Sequence, residues 1–199
     1  MEKKKNYKNY IMPAIEIKYA DIFFDPKVQT MCVSPSFTCP HYNHSHSCPP
    51  SAPYLEQELS KYDKFYLIYT RFNLSDYIKE VKKKHPNRSE QRIKYFFFMN
   101  NLYKEDLKEE VEKFLSEYDE KSKEMLLLYD GTCRICLNDQ DKGCTFDSGK
   151  PCRYPNKKMT SMEAIGIEVI RTVAKLPNRD FEYPSKTYSD RFGLVCIKL

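Results

Sequence analysis

The chain has 199 residues, enough to bury a sizeable core, and we expect residues 1–199 to form a single metal-binding domain. Its 33 basic and 28 acidic residues give a net charge of +5, too modest and too dispersed to indicate a nucleic-acid-binding protein. Gly is scarce at 5 residues, and the outlier in composition is cysteine, whose 8 residues come in groups.

The first half of the chain is predicted to hold two strands and at least two helices. The predicted elements are a weak strand at 14–19, an irregular segment at 32–53, a short helix at 54–62, a strand at 64–70 and a helix that Ser89 caps. The irregular segment at 32–53 is rich in Pro, Ser, His and Cys, and we call it the first Cys loop. It has no core of its own and needs something else to order it.

The second half predicts a helix at about 102–118, a strand at 125–129 and a closing strand at 192–199. Residues 131–158 form a second irregular segment, the second Cys loop. Thr160 and Glu163 fit a capping box that would begin a helix running to about Lys175, although Glu163 could also act as an acid or base. This order predicts an α/β or α+β fold: a small mixed sheet with packed helices and two Cys-rich metal-binding loops at one end.

The sequence gives no sign of export or membrane insertion. The first ten residues are basic, but no apolar run follows them as in a signal peptide, and no run approaches the roughly 18 apolar residues of a membrane span. We therefore expect a cytoplasmic protein without a membrane or nucleic-acid partner. Reducing conditions disfavour disulfides there, so grouped cysteines indicate metal or redox chemistry.

The second Cys loop carries the sharper pattern, C-x2-C-x7-C-x7-C. Its members are Cys133, Cys136, Cys144 and Cys152. Four thiolates suit either tetrahedral zinc or a [4Fe–4S] cluster, and a single C-x2-C pair favours the cluster over a zinc ribbon. Nearby cations would offset the thiolate charge; they are Arg134, Lys142, Lys150 and Arg153.

The first Cys loop supplies three further thiols, Cys32, Cys39 and Cys48, in the pattern C-x6-C-x8-C. Three thiolates leave a fourth position, which a histidine could fill to give a zinc site; the candidates are His41, His44 and His46. Alternatively, the position stays open on a cluster iron, or both loops converge on shared chemistry. Cys196 lies in an apolar strand and is predicted to be a small core residue.

Three runs of sequence resemble the family of predicted metal-binding proteins catalogued as domain of unknown function 2284. They are Cys39-Pro40 with Tyr42 and Cys48-Pro49-Pro50; Gly131-Thr132-Cys133-Arg134-Ile135-Cys136; and Cys152-Arg153-Tyr154-Pro155 continuing to Ser161-Met162-Glu163-Ala164-Ile165-Gly166-Ile167-Glu168-Val169. The resemblance implies a soluble iron–sulfur protein without an assigned reaction. It also implies that the ligand candidates are Cys32, Cys39, Cys48, Cys133, Cys136, Cys144 and Cys152.

The chain departs from this family pattern at a few positions. Asn43 stands where the family usually has Gly, and Asn tolerates the left-handed conformation that a turn can require. The spacing before Cys144 is wider than usual, which makes it the least certain ligand.

These observations predict an iron–sulfur protein that acts in electron transfer or as an accessory to a redox enzyme, with a redox partner protein. Two alternatives stay open: a zinc-stabilised structural or interaction module, and an enzyme whose three-Cys site holds an open iron. The sequence names no catalytic residue and no substrate, which favours a non-enzymatic role.

Overall fold

A computed structural model describes residues 10–11, 14–35, 37–99, 104–138, 143–176 and 180–199, which include all eight cysteines. Its main sheet has six strands in the described residues: β1 (Tyr10–Ile11), β2 (Ile15–Ile17), β5 (Lys64–Asn73), β6 (Glu124–Tyr129), β7 (Thr160–Ser161) and β8 (Tyr188–Lys198). The order is β1-β5-β8-β6-β7, with β2 also paired to β5. All pairs are antiparallel except β6–β7, so the sheet is mixed as predicted.

Two short strands, β3 (Val33–Ser34) and β4 (Phe37–Thr38), form a separate hairpin inside the first Cys loop. The helices of the described residues are α1 (Glu56–Leu59), α2 (Leu74–Lys84), α3 (Glu90–Met99), α4 (Lys104–Glu117) and α5 (Val169–Ala174). None of them is long and apolar enough to cross a membrane. Ser89 caps α3 as predicted, because its Oγ accepts a hydrogen bond from the Arg92 N–H at 3.3 Å.

The sheet is buried on both faces, which explains why its central strands are continuously apolar. Along β8, Leu194 and Cys196 face a cluster that includes Leu59 of α1 and Val173 of α5. The alternate residues of β8, Val195 and Ile197, face a second cluster with Leu107 and Val111 of α4. The prediction that Cys196 is a core residue is confirmed, since its side chain is fully buried.

The predicted capping box at Thr160–Glu163 is wrong. Thr160 and Ser161 are β7 and pair in parallel with Leu128 and Tyr129 of β6. Glu163–Ile165 is a single 3₁₀ turn, here called the Glu163 turn, which ends at Gly166 with φ +96°. The helix begins only at Val169 and ends at Ala174, because the chain first pairs with the sheet and then reverses at a left-handed glycine.

Candidate metal centre

The two Cys loops lie against each other although about half the sequence separates them. The Cys48 thiol donates to Thr132 Oγ1 across 3.4 Å, spanning 84 residues of chain. The Cys133 backbone N–H in turn donates to Ser47 Oγ across 3.3 Å. All eight cysteines are free thiols. The tertiary structure thus brings the segment around Cys48 into contact with the segment around Cys133.

The hairpin of β3 and β4 brings two thiols of the first loop together. Cys32 and Cys39 flank the hairpin, and the Cys39 N–H donates to the Cys32 carbonyl oxygen at 2.8 Å. Burial, together with the neighbouring Cys39 and Cys48 thiols, raises the pKa of the Cys32 thiol to about 11. A metal cation bound by these thiols would take the place of their protons.

A left-handed residue positions the third thiol of this group. Asn43 has a φ of +57°, a left-handed conformation that its place at the family's usual Gly position suggested. Its N–H donates to the Pro49 carbonyl oxygen at 2.9 Å. This hydrogen bond closes the loop, and within it the Cys48 N–H donates to the Ser45 carbonyl oxygen at 3.2 Å. Backbone hydrogen bonds thus fix Cys48 in a segment that has no regular element of its own.

Three thiols of the second loop surround an open cavity of about 330 Å³. They belong to Cys133, Cys136 and Cys144, and residues of the first loop, including Pro40 and Ser45, complete the wall. Both loops therefore contribute to one concave site lined by sulfur.

Cys152 is half-buried and is brought back towards Cys144 by a closed loop. Thr145 Oγ1 donates to the Pro151 carbonyl at 2.8 Å, which joins the residue after Cys144 to the residue before Cys152. Arg153 also donates to the Gly143 carbonyl. The wide spacing around Cys144 is thus accommodated by a loop whose two ends meet.

Arg134, which directly follows Cys133 in the chain, carries a buried positive charge. The Arg134 side chain is only 9% exposed, and its Nε contacts Glu105 Oε1 at 3.4 Å. Its two terminal nitrogens are buried and have no hydrogen-bond partner among the described residues. Such a guanidinium suits a neighbouring anionic centre. Lys142, also predicted to offset thiolate charge, lies outside the described residues.

Two of the histidines suggested as a fourth ligand join the loops to each other. His44 Nδ1 lies 2.8 Å from Asp147 Oδ1, and both side chains are more than half exposed. His46 Nε2 lies 3.0 Å from the Lys150 carbonyl. One ring nitrogen of each of these two histidines is therefore engaged in a contact between the two loops.

The Glu163 turn is hydrogen-bonded to both ends of the first Cys loop. Gln29 Nε2 donates to the carbonyls of Ala52, at 3.0 Å, and Ala164, at 2.8 Å. The Leu55 N–H donates to the Ile165 carbonyl at 3.2 Å. The turn is thus held against the segment that precedes Cys32 and the segment that follows Cys48.

Glu163 itself lies deep in the protein, yet it keeps a large accessible surface. Burial raises the pKa of this carboxyl, and the charge of Asp130 raises it further, while Ser161 and Arg191 act in the opposite direction. The sequence predicted that Glu163 is part of a helix capping box. The only sequence signal for another role was its place in a stretch of residues shared with the family.

As the side chains stand, no three His, Cys, Asp or Glu residues of the described chain are arranged to hold a single metal ion. The seven-cysteine ligand set therefore stays a prediction. What the structure does show is that Cys133, Cys136 and Cys144 line one cavity and that the two loops are in contact.

Comparison with known proteins gives one match. A family model described as predicted metal-binding protein (DUF2284) matches residues 15–197, nearly the whole chain. No curated protein and no solved structure matches it.

Proposed function

Because the chain belongs to the family of predicted metal-binding proteins called domain of unknown function 2284, we propose that it binds a [4Fe–4S] cluster and exchanges electrons with a redox partner protein in the cytoplasm. Four thiols hold the cluster: Cys133, Cys136, Cys144 and Cys152. The three thiols of the first loop form an adjacent metal centre: Cys32, Cys39 and Cys48. The observation that carries the proposal is the contact between the two loops, which sets sulfur around a shared cavity.

The donor set fits an iron–sulfur cluster. A mononuclear zinc site, with Zn–S bonds of about 2.3 Å, pulls its thiolates into direct contact around one ion. A cluster instead binds each thiolate through a different iron and needs a larger space. Cys133, Cys136 and Cys144 stand around an open cavity, as the larger centre requires. When bound, such a cluster supplies one-electron transfer.

The protein around the cavity supplies charge balance. The buried terminal nitrogens of Arg134, which follows Cys133 directly, can face anionic sulfur without displacing an existing partner among the described residues. Lys158 Nζ donates to the His46 carbonyl at 3.3 Å and so places a second cation where the loops meet. Positive groups near cluster sulfurs also shift the reduction potential upward.

Anaerobic purification tests this function. We expect a brown protein with equal amounts of iron and acid-labile sulfide, and an electron paramagnetic resonance signal after reduction. Cys133→Ala should lose that signal, whereas Cys196→Ala, which changes a thiol of the core, should keep it. A colourless protein with stoichiometric zinc would contradict the proposal.

Zinc at the first Cys group is the second candidate, favoured by one observation. The Cys39 N–H donates to the Cys32 carbonyl oxygen at 2.8 Å, which holds these two cysteines side by side, as ligands of a common ion would be. In that case the first centre is a redox-silent staple, and removal of zinc unfolds the loop around it.

A further inference from the structure

The turn between α2 and α3 concentrates positive charge. Residues 74–99, which form these two helices and their turn, contain seven Lys or Arg and three Asp or Glu, a net charge of +4 against +5 for the whole chain. An open groove of about 580 Å³ lies at the turn. The described residues that line it include Lys84, His85, Arg88 and Arg92 and no carboxylate.

The acidic side chains of this segment are each paired with a lysine on the same helix. The pairs are Asp76–Lys79, Glu80–Lys83 and Glu90–Lys94, at 2.7–3.1 Å. Arg88 and Arg92 belong to none of these pairs, and neither has an ion pair with another residue that the structure describes. The charge of the two arginines is therefore not neutralised within the described part of the chain.

The ring of Phe96 holds the two arginines side by side. The guanidinium carbons of Arg88 and Arg92 each lie 5.8 Å from the centre of the ring. Arg92 and Phe96 are four residues apart on α3 and so share one face of the helix. Such cation–π contacts restrict both side chains, so less conformational entropy is lost when they bind a partner. A guanidinium can donate two parallel hydrogen bonds to a carboxylate, which makes a carboxylate the fitting partner.

Exposed aromatic side chains accompany these cations on α3. Ile93 and Phe97 lie in the apolar cluster between α2 and α3, whereas Tyr95 and Phe98 are 58% and 45% exposed. Arginine and aromatic residues are enriched in protein–protein interfaces. A nucleic acid is held instead by many phosphate contacts along an extended basic surface. Outside 74–99 the chain has 26 basic and 25 acidic residues, so the charge favours a protein partner.

We propose that the groove at the α2–α3 turn, together with Arg88, Arg92 and Phe96, binds an acidic segment of a partner protein. Carboxylates of that segment pair with the two arginines, and its apolar side chains contact Tyr95. The inference goes beyond the proposed function, because it requires neither a metal nor electron transfer. Since the attraction is between exposed charges, binding weakens as the ionic strength rises.

Fluorescence anisotropy of a labelled oligoglutamate peptide, titrated with the full-length protein, tests the proposal. We expect binding that weakens with added salt. The double variant Arg88→Gln/Arg92→Gln should bind the peptide about tenfold more weakly, because it loses the charged hydrogen bonds. The matched control Lys79→Gln/Lys83→Gln removes the same charge from lysines that are already paired, and its affinity should change by less than about twofold. Phe96→Leu keeps the charge and should weaken binding about threefold, because the arginines lose their support.

Three results would overturn the proposal. One is no peptide binding at physiological ionic strength, and another is an equal loss of affinity in the arginine variant and the lysine control. The third is a single-stranded oligonucleotide of the same charge that binds more tightly than the peptide and displaces it, which would make this a nucleic-acid surface. Circular dichroism checks the folding of each variant, and Arg92→Gln against Lys79→Gln decides the question if a double variant does not fold. The titration does not depend on metal, so this proposal and the proposed function fail separately.

Discussion

At the scale of single residues, the surroundings of each thiol separate structural from functional cysteines. Cys196 and Cys48 are both buried, at 0% and 8% exposure. Cys196 lies in an apolar cluster with Leu128 and Leu194, and this burial raises its pKa. Cys48 instead lies in a polar loop and hydrogen-bonds to Thr132. Burial alone therefore does not identify a ligand; the polarity of the neighbours does.

Replacing Cys196 by Ala should affect stability but not metal content. The change removes a buried sulfur and leaves a small cavity, so we expect the free energy of unfolding to fall by about 1 kcal/mol. Denaturant unfolding of the metal-free protein measures the loss, and metal analysis checks the content. Loss of metal in this variant would show that Cys196 is a metal ligand and not a core residue.

Glu182 should make stability depend on pH in the acidic range. Burial by itself would raise its pKa, but three backbone N–H groups, those of Lys186, Thr187 and Tyr188, donate to Oε2 and lower the pKa to about 2. The pKa is thus lower in the folded than in the unfolded chain. The stabilisation is complete above the unfolded value of 4.5 and is lost as the pH falls towards 2.

The comparison of wild type with Glu182→Gln isolates this effect. The variant should be less stable by about 1–2 kcal/mol at neutral pH, because neutral acceptors form weaker hydrogen bonds than carboxylates do. The difference should shrink between pH 4.5 and 2, as unfolding curves at several pH values would reveal. A difference that does not change with pH would exclude the carboxylate as its cause.

At the scale of elements, β8 is the strand on which the sheet depends. It pairs with β5 along ten residues and with β6 on its other side. Where it passes β6, a Cβ atom added at Gly193 would lie 2.8 Å from the Leu128 carbonyl oxygen. This close approach explains a glycine in an otherwise apolar strand.

Gly193→Ala should therefore destabilise the protein by about 1–3 kcal/mol, because the backbone of β6 must move to admit the methyl group. Thermal unfolding measures the change. Ser189→Ala, in the same strand and also buried, is the control, since it adds no atom. Equal stability of Gly193→Ala and wild type would mean that the two strands are not packed this closely.

Elements with strong local patterns could be predicted from the sequence, whereas a short element that depends on distant pairing could not. The apolar runs at β6 and β8 and the helical spacing of α4 each indicate their structure locally. The local sequence of Thr160–Glu163 fits a capping box as well as those runs fit their strands and helix. Its strand conformation depends on Leu128 and Tyr129, about thirty residues away. Tertiary pairing overrode the local preference there.

At the scale of the whole molecule, the sheet and the Cys loops differ in what stabilises them. The sheet is packed on both faces by apolar clusters. The loops are held by individual hydrogen bonds, such as that between Cys133 and Ser47, and by short turns. Segments with few apolar contacts open at lower free energy than the core does.

Metal removal should therefore loosen the loops and spare the sheet. Hydrogen exchange of metal-loaded and metal-stripped protein should show faster exchange at 39–48 and 132–152 after stripping, with β5 and β8 unchanged, because bound metal couples to the folding of its ligand loops. Loss of protection throughout the chain would contradict this prediction, because the sheet itself would then depend on the metal.

The sequence by itself was enough to predict the grouped cysteines with a C-x2-C pair, the core thiol at Cys196 and the apolar strands. Each of these features follows from local spacing and composition. Only the tertiary structure decided that Cys48 meets Thr132, that the two loops share a cavity, and that Gln29 holds the Glu163 turn. These contacts join residues far apart in the chain. Their formation depends on where the sheet places each loop, and no local pattern records that.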